Sequence, residues 1–527
     1  MRVNELPGVV GAYLYGVEAR FARIEVYVDE VLPCGPAPGF VSSSLDRDRV
    51  RSTEQLVRVR NALETCGMRT ADVRVSVCIY DCATGRELCD AAHPSLDLAI
   101  AVAVAVEMGR VARARTKGYV FFGQVGLNGK VESTRGAYAA SWDCAHASGA
   151  ASLSQLVVPA ANFREAMLPC GSRVAPVATL RGAIEALIDV RFDVGLVPPV
   201  PTSVSPPIVD MDDVPGNERA KRALEVAAAG GHSVLLLGPD SGLKMRLAAR
   251  ARTILPELFA MQEVFVRRVY SVAGRPQPHS EELPPFRAPH HTVVGAALRG
   301  HYDSPLRPGE LALANGGVLY LHDLHAFGLD AIKCVDEVSK AGFVRPDPNA
   351  PPLPVNALFI ASSTACPCGN SGSPKRACAC APHAVEAHTS RLRRSRFVRN
   401  GIVAHTDTAV ARRPSVKVEE SADVRARVKS ARRKQCQRQT EALLDSWSLN
   451  ADLSAPDVEK FCADMCDGDA ARLLEDELGR RELSFVWYER ARRDVLRVAR
   501  TCADLAESDK ITAEHIGEAL ELCGFTS

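Results

Sequence analysis

Residues 233–254 read as a buried strand, a loop and a helix, an order that commits the middle of the chain to an α/β sheet. Ser233 to Leu237 is an apolar run of strand length, and Arg246 to Ile254 carries a helical pattern. Between them stands Gly238-Pro239-Asp240-Ser241-Gly242-Leu243-Lys244-Met245, in the place of a phosphate-binding loop. In such a loop, backbone N–H groups wrap the phosphates, a lysine reaches the β/γ oxygens, and a helix N-terminus faces the negative charge. The pattern G-x-x-x-x-G-K-[ST] wants glycine at 243 and a hydroxyl at 245; this chain has Leu243 and Met245, and adds an acidic Asp240. Glycine lets the backbone approach the phosphates, with positive φ where needed. The hydroxyl binds Mg²⁺, a hard cation for which a thioether is no substitute. The segment reads as a nucleotide site whose chemistry has decayed. Lys244 is either a solvated lysine in a collapsed loop or the remnant of weak nucleotide binding.

The rest of the sequence sets that unit in a long chain. At 527 residues, three or four domains are expected. A formal net charge of +1 means that any anion-binding surface must be local. The apolar run Leu98 to Val106 is about half of what a membrane span needs and reads as a buried helix. No secretory signal pattern stands in Met1 to Arg20, and 17 scattered cysteines do not form a small secreted framework, so a cytoplasmic setting without membrane contact is expected. Strands are expected at Arg23 to Val28, Val73 to Ile79 and Gln155 to Val158, with helices over Asp46 to Cys66 and Leu96 to Met108. Val197 to Pro207 is proline-rich and reads as a linker. Further strands fall at Gly317 to Leu321 and Ala357 to Ser362, and from Ala422 the chain reads as helical, including Glu489 to Ala506 and Ala513 to Leu522 behind an N-capping Thr512.

Cys366-x-Cys368 and Cys378-x-Cys380 enclose a Gly/Ser/Pro/basic loop. Four thiolates on a short connection suit tetrahedral Zn²⁺ and fill every ligand position, as in a structural site. His290 and His291 point apart on a strand and read as structural. The basic run Arg391, Arg393, Arg394, Arg396 and Arg399, and the helical set Arg425, Arg427, Lys429, Arg432, Arg433 and Lys434, are solvated faces or contacts to phosphate or a neighbouring subunit.

Several segments, in order, resemble the magnesium-chelatase-like AAA+ ATPases of the ComM/YifB type. Asp212-Asp-Val-Pro-Gly216-Asn and Lys221-Arg-Ala-Leu-Glu-Val-Ala-Ala-Ala-Gly-Gly-His232 resemble that family's approach to its nucleotide loop. Pro285-Phe-Arg-Ala-Pro-His-His-Thr292, Arg307-Pro-Gly-Glu-Leu-Ala-Leu-Ala-Asn-Gly-Gly-Val-Leu-Tyr320, Cys366-Pro-Cys-Gly369 and Val495-Leu-Arg-Val-Ala-Arg-Thr-Cys-Ala-Asp-Leu505 resemble its internal signatures. Gly126-Leu-Asn-Gly-Lys-Val131 and Gln155-Leu-Val-Val-Pro-Ala-Ala-Asn162 resemble its Lon-protease-like domain. The resemblance implies an α/β multidomain chain. Residues 1–192 would form a Lon-protease-like α+β domain (ribosomal S5 domain 2-like) and 193–209 a proline-rich linker. An AAA+ P-loop α/β domain would occupy 210–408 with the four-cysteine insertion at 364–382, and 409–527 would hold a linker and a C-terminal helical lid.

Position by position, the resemblance also marks departures. The magnesium-binding strand reads Leu319-Tyr-Leu-His322-Asp323, so His322 replaces the magnesium aspartate, while Asp323 keeps a shortened carboxylate where glutamate prepares the attacking water. Thr364 stands where the sensor asparagine would be, Arg399 where an arginine finger would be, and Arg490 where the second sensor arginine would be. The family implies an ATP-driven hexameric ring acting on DNA in natural transformation. For this chain the expectation is a pseudo-ATPase or weakly nucleotide-binding ring subunit, as a homo-oligomer or beside an intact paralogue, with single-stranded or branched DNA as partner. An active ATP-dependent branch-migration translocase and a chelatase-type metal-insertion subunit remain the alternatives.

Overall fold

The structure, a computed structural model, describes residues 8–30, 39–42, 49–88, 93–147, 155–169, 173–189, 191–192, 209–275, 283–302, 306–348, 351–373, 376–393, 395, 398, 401–406, 419–442, 448–481 and 484–525. The proline-rich segment expected at 193–209 lies outside them but for its last residue, as do Arg394, Arg396 and Arg399.

Two sheets organise the chain. The first is mixed, with the order Gly39–Ser42, Val73–Asp81, Glu18–Glu30, Val9–Tyr15, Tyr119–Phe121, Gln155–Pro159, Val174–Val177. The second is wholly parallel, with the order Phe286–Arg287, Val318–Leu321, Leu358–Ser363, Val234–Leu237, Ile402–His405. Its strands Val234–Leu237 and Val318–Leu321 read as unbroken apolar runs because both faces are covered: Val234 and Leu236 enter one core, and Leu235 enters the other.

The layers follow from those faces. Helices Arg49–Thr65, Asp97–Glu107 and Leu180–Asp189 cover one side of the first sheet. Asp97–Glu107 is buried over nearly its whole length, which is why Leu98 to Val106 reads apolar on every face. No described helix is long and apolar enough to cross a membrane. The other side of the first sheet shares a continuous core with the second sheet through helices Ala137–His146 and Ala260–Ala273. The two helices are tied by an Arg268–Asp143 ion pair and by a bond from the Tyr138 amide to Ser271 Oγ at 3.2 Å.

Helices Glu218–Gly230 and Ser241–Ala251 cover the far side of the parallel sheet, and the C-terminal helices close over them. The Ala513–Leu522 helix starts behind Thr512, whose hydroxyl and amide both meet His515 Nδ1 at 3.1 Å. The long helix Phe485–Leu505 begins at Phe485 rather than at Glu489. Phe485, Val486 and Trp487 are exposed, so its first turn shows no apolar face to align with the rest.

Helix Ser421–Glu441 carries the second basic set, read as a solvated face or a contact to phosphate or a neighbour, and most of these cations are engaged within the chain. Arg425 donates to Thr253 O at 2.7 Å, Arg432 to Ala228 O at 2.6 Å and Lys434 to Glu507 O at 2.6 Å. Arg427 pairs with Glu225 at 2.6 Å and with Glu419, and Lys429 with Glu257 at 2.8 Å. The helix is joined to its neighbours largely through polar groups, and Arg433 is left exposed.

His232 sits buried between these layers with Nε2 2.9 Å from Thr501 Oγ1, and burial, helped by the Arg497 charge, pushes its pKa down to about 3. A histidine held below its unfolded value stabilises the fold above that value and loses the contribution as pH falls. His232→Gln removes this titration. The stability gap between wild type and variant should therefore narrow by on the order of 3 kcal/mol from pH 7 to pH 4. Denaturant unfolding at the two pH values measures the gap, and an unchanged gap would contradict the assignment.

Candidate functional site

The parallel sheet brings the ends of Val234–Leu237, Val318–Leu321 and Leu358–Ser363 side by side, where open α/β sheets build their sites. The residues following these three strands line one small region, and its first feature is how little loop remains. The helix expected from Arg246 starts at Ser241, so only Gly238, Pro239 and Asp240 separate strand from helix. Gly242, Leu243, Lys244 and Met245 are wound into the helix rather than spread around a ligand.

Three contacts explain the early start. Asp240 is the N-cap, and its carboxylate accepts the Leu243 amide at 3.0 Å. Leu243 and Met245 are partly buried and pack against the core beneath the C-terminal helices. Gly238 lies so close to Thr406 that an added Cβ would sit 2.1 Å from the threonine hydroxyl, and its amide donates to Ser363 O at 3.2 Å.

Lys244 is fully buried. Its ammonium donates to Gly238 O at 2.6 Å and to Ser363 O at 2.8 Å, bridging the mouth of the loop to the neighbouring strand. Burial lowers its pKa, and the charges of Asp323 and Asp240 oppose that shift. The lysine that would reach for phosphate is turned onto the protein's own carbonyls.

On the next strand Tyr320 is buried, and burial raises its phenol to about 12. Its hydroxyl donates to Ser362 Oγ at 2.8 Å and lies 3.1 Å from His322 Nδ1. His322 Nε2 is 3.3 Å from Asp323 Oδ2. Asp323 has a left-handed backbone, φ 54°, at the start of the turn Leu324–Ala326, and its amide donates to Ser362 Oγ at 3.3 Å. Its Oδ1 is buried without a hydrogen-bond partner. His325 Nδ1 is 3.0 Å from Ser363 Oγ, and its ring lies 4.9 Å from that of His388, with burial first and then the His388 charge lowering the pKa of His325.

Thr364 does not present its hydroxyl to this region. Thr364 Oγ1 donates to Cys366 O at 2.8 Å, and Thr364 O accepts from His388 Nε2 at 2.9 Å. Arg490 lies on the Phe485–Leu505 helix with its guanidinium 5.6 Å from the centre of the Trp487 ring. Arg399 lies outside the described residues. Ser362, Ser363, Tyr320, His325 and His388 escaped the sequence reading. The two serines could have been found, because a polar pair at the C-terminal end of a buried parallel strand is unusual.

Magnesium and a nucleotide triphosphate do not fit these residues well. The helix terminus that would meet phosphate already holds the Asp240 carboxylate, the lysine is sealed, and the residues at 245 and 322 offer sulfur and nitrogen. Of the positions expected to organise magnesium, only Asp323 offers a carboxylate, with one oxygen unpaired.

Two distinctive sequence segments meet nearby. Arg287 clamps Glu310 with two bonds of 2.7 Å, joining the Pro285–Thr292 segment to the Arg307–Tyr320 segment. Contrary to the expectation that they point apart on a strand, His290 and His291 lie beyond the strand Phe286–Arg287 with ring centres 4.0 Å apart; His290 bonds Thr292 Oγ1 at 2.8 Å, and neither histidine belongs to a metal-holding group among the described residues. The group that does qualify is Cys366, Cys368, Cys378 and Cys380, whose Sγ atoms all lie within 4.8 Å of one another.

Comparison with known proteins agrees with the motifs. The family described as magnesium chelatase, subunit ChlI, matches residues 210–411, and that subunit's C-terminal family matches 418–522. The uncharacterized protein YifB of Escherichia coli is 28% identical over 96% of this chain and 94% of its own length. The competence protein ComM of Haemophilus influenzae is 28% identical over 96% of this chain and 95% of its own. Among solved structures, a full-length MCM homolog from Methanopyrus kandleri aligns with 59% of this chain and 56% of its own at 15% identity, with a TM-score of 0.34. That likeness is too loose to bear on the site.

Proposed function

The chain belongs to the magnesium-chelatase-like family of the ComM/YifB type, and from that footing we propose that it is a pseudo-ATPase member, a subunit that assembles and acts without turning over nucleotide at its own site. The observation that carries this reading is the self-filled loop. Asp240 supplies the anion at the helix terminus, and Lys244 supplies the cation to the loop's own carbonyls. Binding a phosphate there would require expelling a carboxylate, drawing out a buried ammonium and unwinding the first helical turn. Each is a cost of roughly 1–3 kcal/mol that a preformed loop does not bear.

In this reading the AAA+ frame serves as an assembly platform, in a ring of its own copies or beside an intact paralogue. The competence name of the Haemophilus relative supports DNA processing in transformation as the process served. The basic helix Ser421–Glu441 is a poor DNA surface, since most of its cations are already paired, so a DNA contact would use other residues.

One observation favours a second reading, an active ATP-driven DNA translocase: the unpaired Asp323 oxygen is a ligand without a partner. A phosphate-release assay separates the two readings, run with and without branched DNA on wild type and Lys244→Ala. The pseudo-ATPase reading expects wild type and variant to match the protein-free blank. Robust turnover that the lysine variant abolishes would remove it.

A further inference from the structure

We propose that Cys366, Cys368, Cys378 and Cys380 hold one structural Zn²⁺, and that this ion staples the loop after strand Leu358–Ser363 so as to fix one wall of the degenerate pocket. The spacing of the thiols is right for it. Cys366 and Cys368 Sγ are 3.4 Å apart, and Cys368 and Cys378 Sγ are 3.7 Å apart. Bonds of about 2.3 Å in a regular ZnS₄ tetrahedron put its sulfurs roughly 3.8 Å apart. The Ser371 amide donates to Cys366 Sγ at 3.2 Å, an outer-shell bond of the kind that steadies a metal thiolate. The turn that delivers it closes with the Gly369 amide on Cys366 O at 3.1 Å, Gly369 lying at φ 74°.

No large apolar side chain is at hand to order this loop. From Thr364 to Ala381 its apolar residues other than cysteine are alanine and proline alone. Cys366 is buried, while Cys368 and Cys378 are exposed and Cys380 is only partly buried, so three thiols of the set are not held by packing in a core. Four soft ligands leave no open position for substrate, which makes the site structural. Loading is balanced as Zn²⁺ plus four Cys-SH giving a Zn(S-Cys)₄ dianion and four protons, with no redox step.

The staple reaches the pocket through a short chain of contacts. Thr364 Oγ1 bonds Cys366 O, Thr364 O accepts from His388 on helix Pro382–Leu392, and His388 packs against His325, which bonds Ser363. That helix begins just beyond the last cysteine, so the metal would hold both ends of the connection.

The test is elemental analysis of the full-length protein purified anaerobically without chelator. About one zinc per chain is expected, released in step with mercurial titration of four thiols. In Cys378→Ser/Cys380→Ser the zinc should fall below about 0.2 per chain, as two ligands cannot hold a structural ion. A second measurement that does not depend on the folding of that variant follows chelator-stripped wild type by hydrogen exchange, with faster exchange expected to be confined to 358–392 and reversed by added zinc. Cobalt in place of zinc should show thiolate charge-transfer and tetrahedral bands. Protein free of zinc, protein carrying iron instead, or zinc retained in full by the double variant would each overturn the proposal.

Discussion

Replacing Asp240→Ala, Leu243→Gly, Met245→Thr, His322→Asp and Asp323→Glu together is expected to create tight binding of magnesium nucleotide in a chain for which the proposed function predicts none. Each change removes one obstacle seen in the structure. Asp240→Ala clears the carboxylate from the helix terminus, where it holds the Leu243 amide. Leu243→Gly withdraws the side chain that anchors the first helical turn in the core and permits a wider loop. Met245→Thr and His322→Asp return oxygen to the two positions that the family resemblance assigns to magnesium, and Asp323→Glu restores the reach of the acid. The dissociation constant should move from above about 1 mM to below about 10 μM, a gain of at least ~2.7 kcal/mol. Calorimetric titration reads it directly. The same set without Asp240→Ala should remain much weaker, because the anion site is still filled. If the full set binds no better than wild type, the decay of this site lies elsewhere.

Arg500→Leu is expected to cost about 3–5 kcal/mol of stability, the range for breaking a buried ion pair. Arg500 is 1% exposed, with Nε and Nη2 about Asp504 Oδ1 at 3.1 and 3.0 Å. Its other donors reach Asp509 O at 2.7 Å and Ser508 O at 2.5 Å, tying the end of the long helix to the turn before the last one. Asp504 is fully buried and also receives Asn450 Nδ2 at 2.9 Å and an ion pair from Arg438. Leucine would fill much of the volume but leave the two carbonyls and part of the Asp504 charge uncompensated. Denaturant unfolding should show the loss, and limited proteolysis should find the C-terminal helices opened first. A change below about 1 kcal/mol would mean that Arg438 alone satisfies Asp504. Arg500 belongs to the segment Val495–Leu505 that marks the family, and in this chain its work is structural.

The particular residues show what the sequence could and could not disclose. Val234–Leu237 was legible because a strand buried on both faces must be apolar throughout. The Ala513–Leu522 helix was legible from its cap, a local signal. The Ser241 start of the loop helix was not. It depends on Leu243 and Met245 reaching a core built from residues far along the chain, a tertiary effect that overrides the loop's glycines. Val9–Tyr15 also went unread. An apolar run interrupted by Gly11 looks broken, yet a Cβ there would sit 2.7 Å from a Leu96 methyl, so the glycine marks close packing. The cysteine pairs announced themselves by spacing, whereas His325, His388 and Ser363 meet only through folding. Sequence left the basic helix open between a solvated face and a phosphate or subunit contact, because it does not reveal which carbonyls the arginines will find.

The most direct test is calorimetric titration of wild-type protein with a non-hydrolysable ATP analogue, with and without Mg²⁺. A loop occupied by Asp240 and Lys244 predicts no saturable heat up to millimolar analogue in either condition. A micromolar dissociation constant that tightens with magnesium would contradict it, for the metal would then have found ligands beside Met245 and His322.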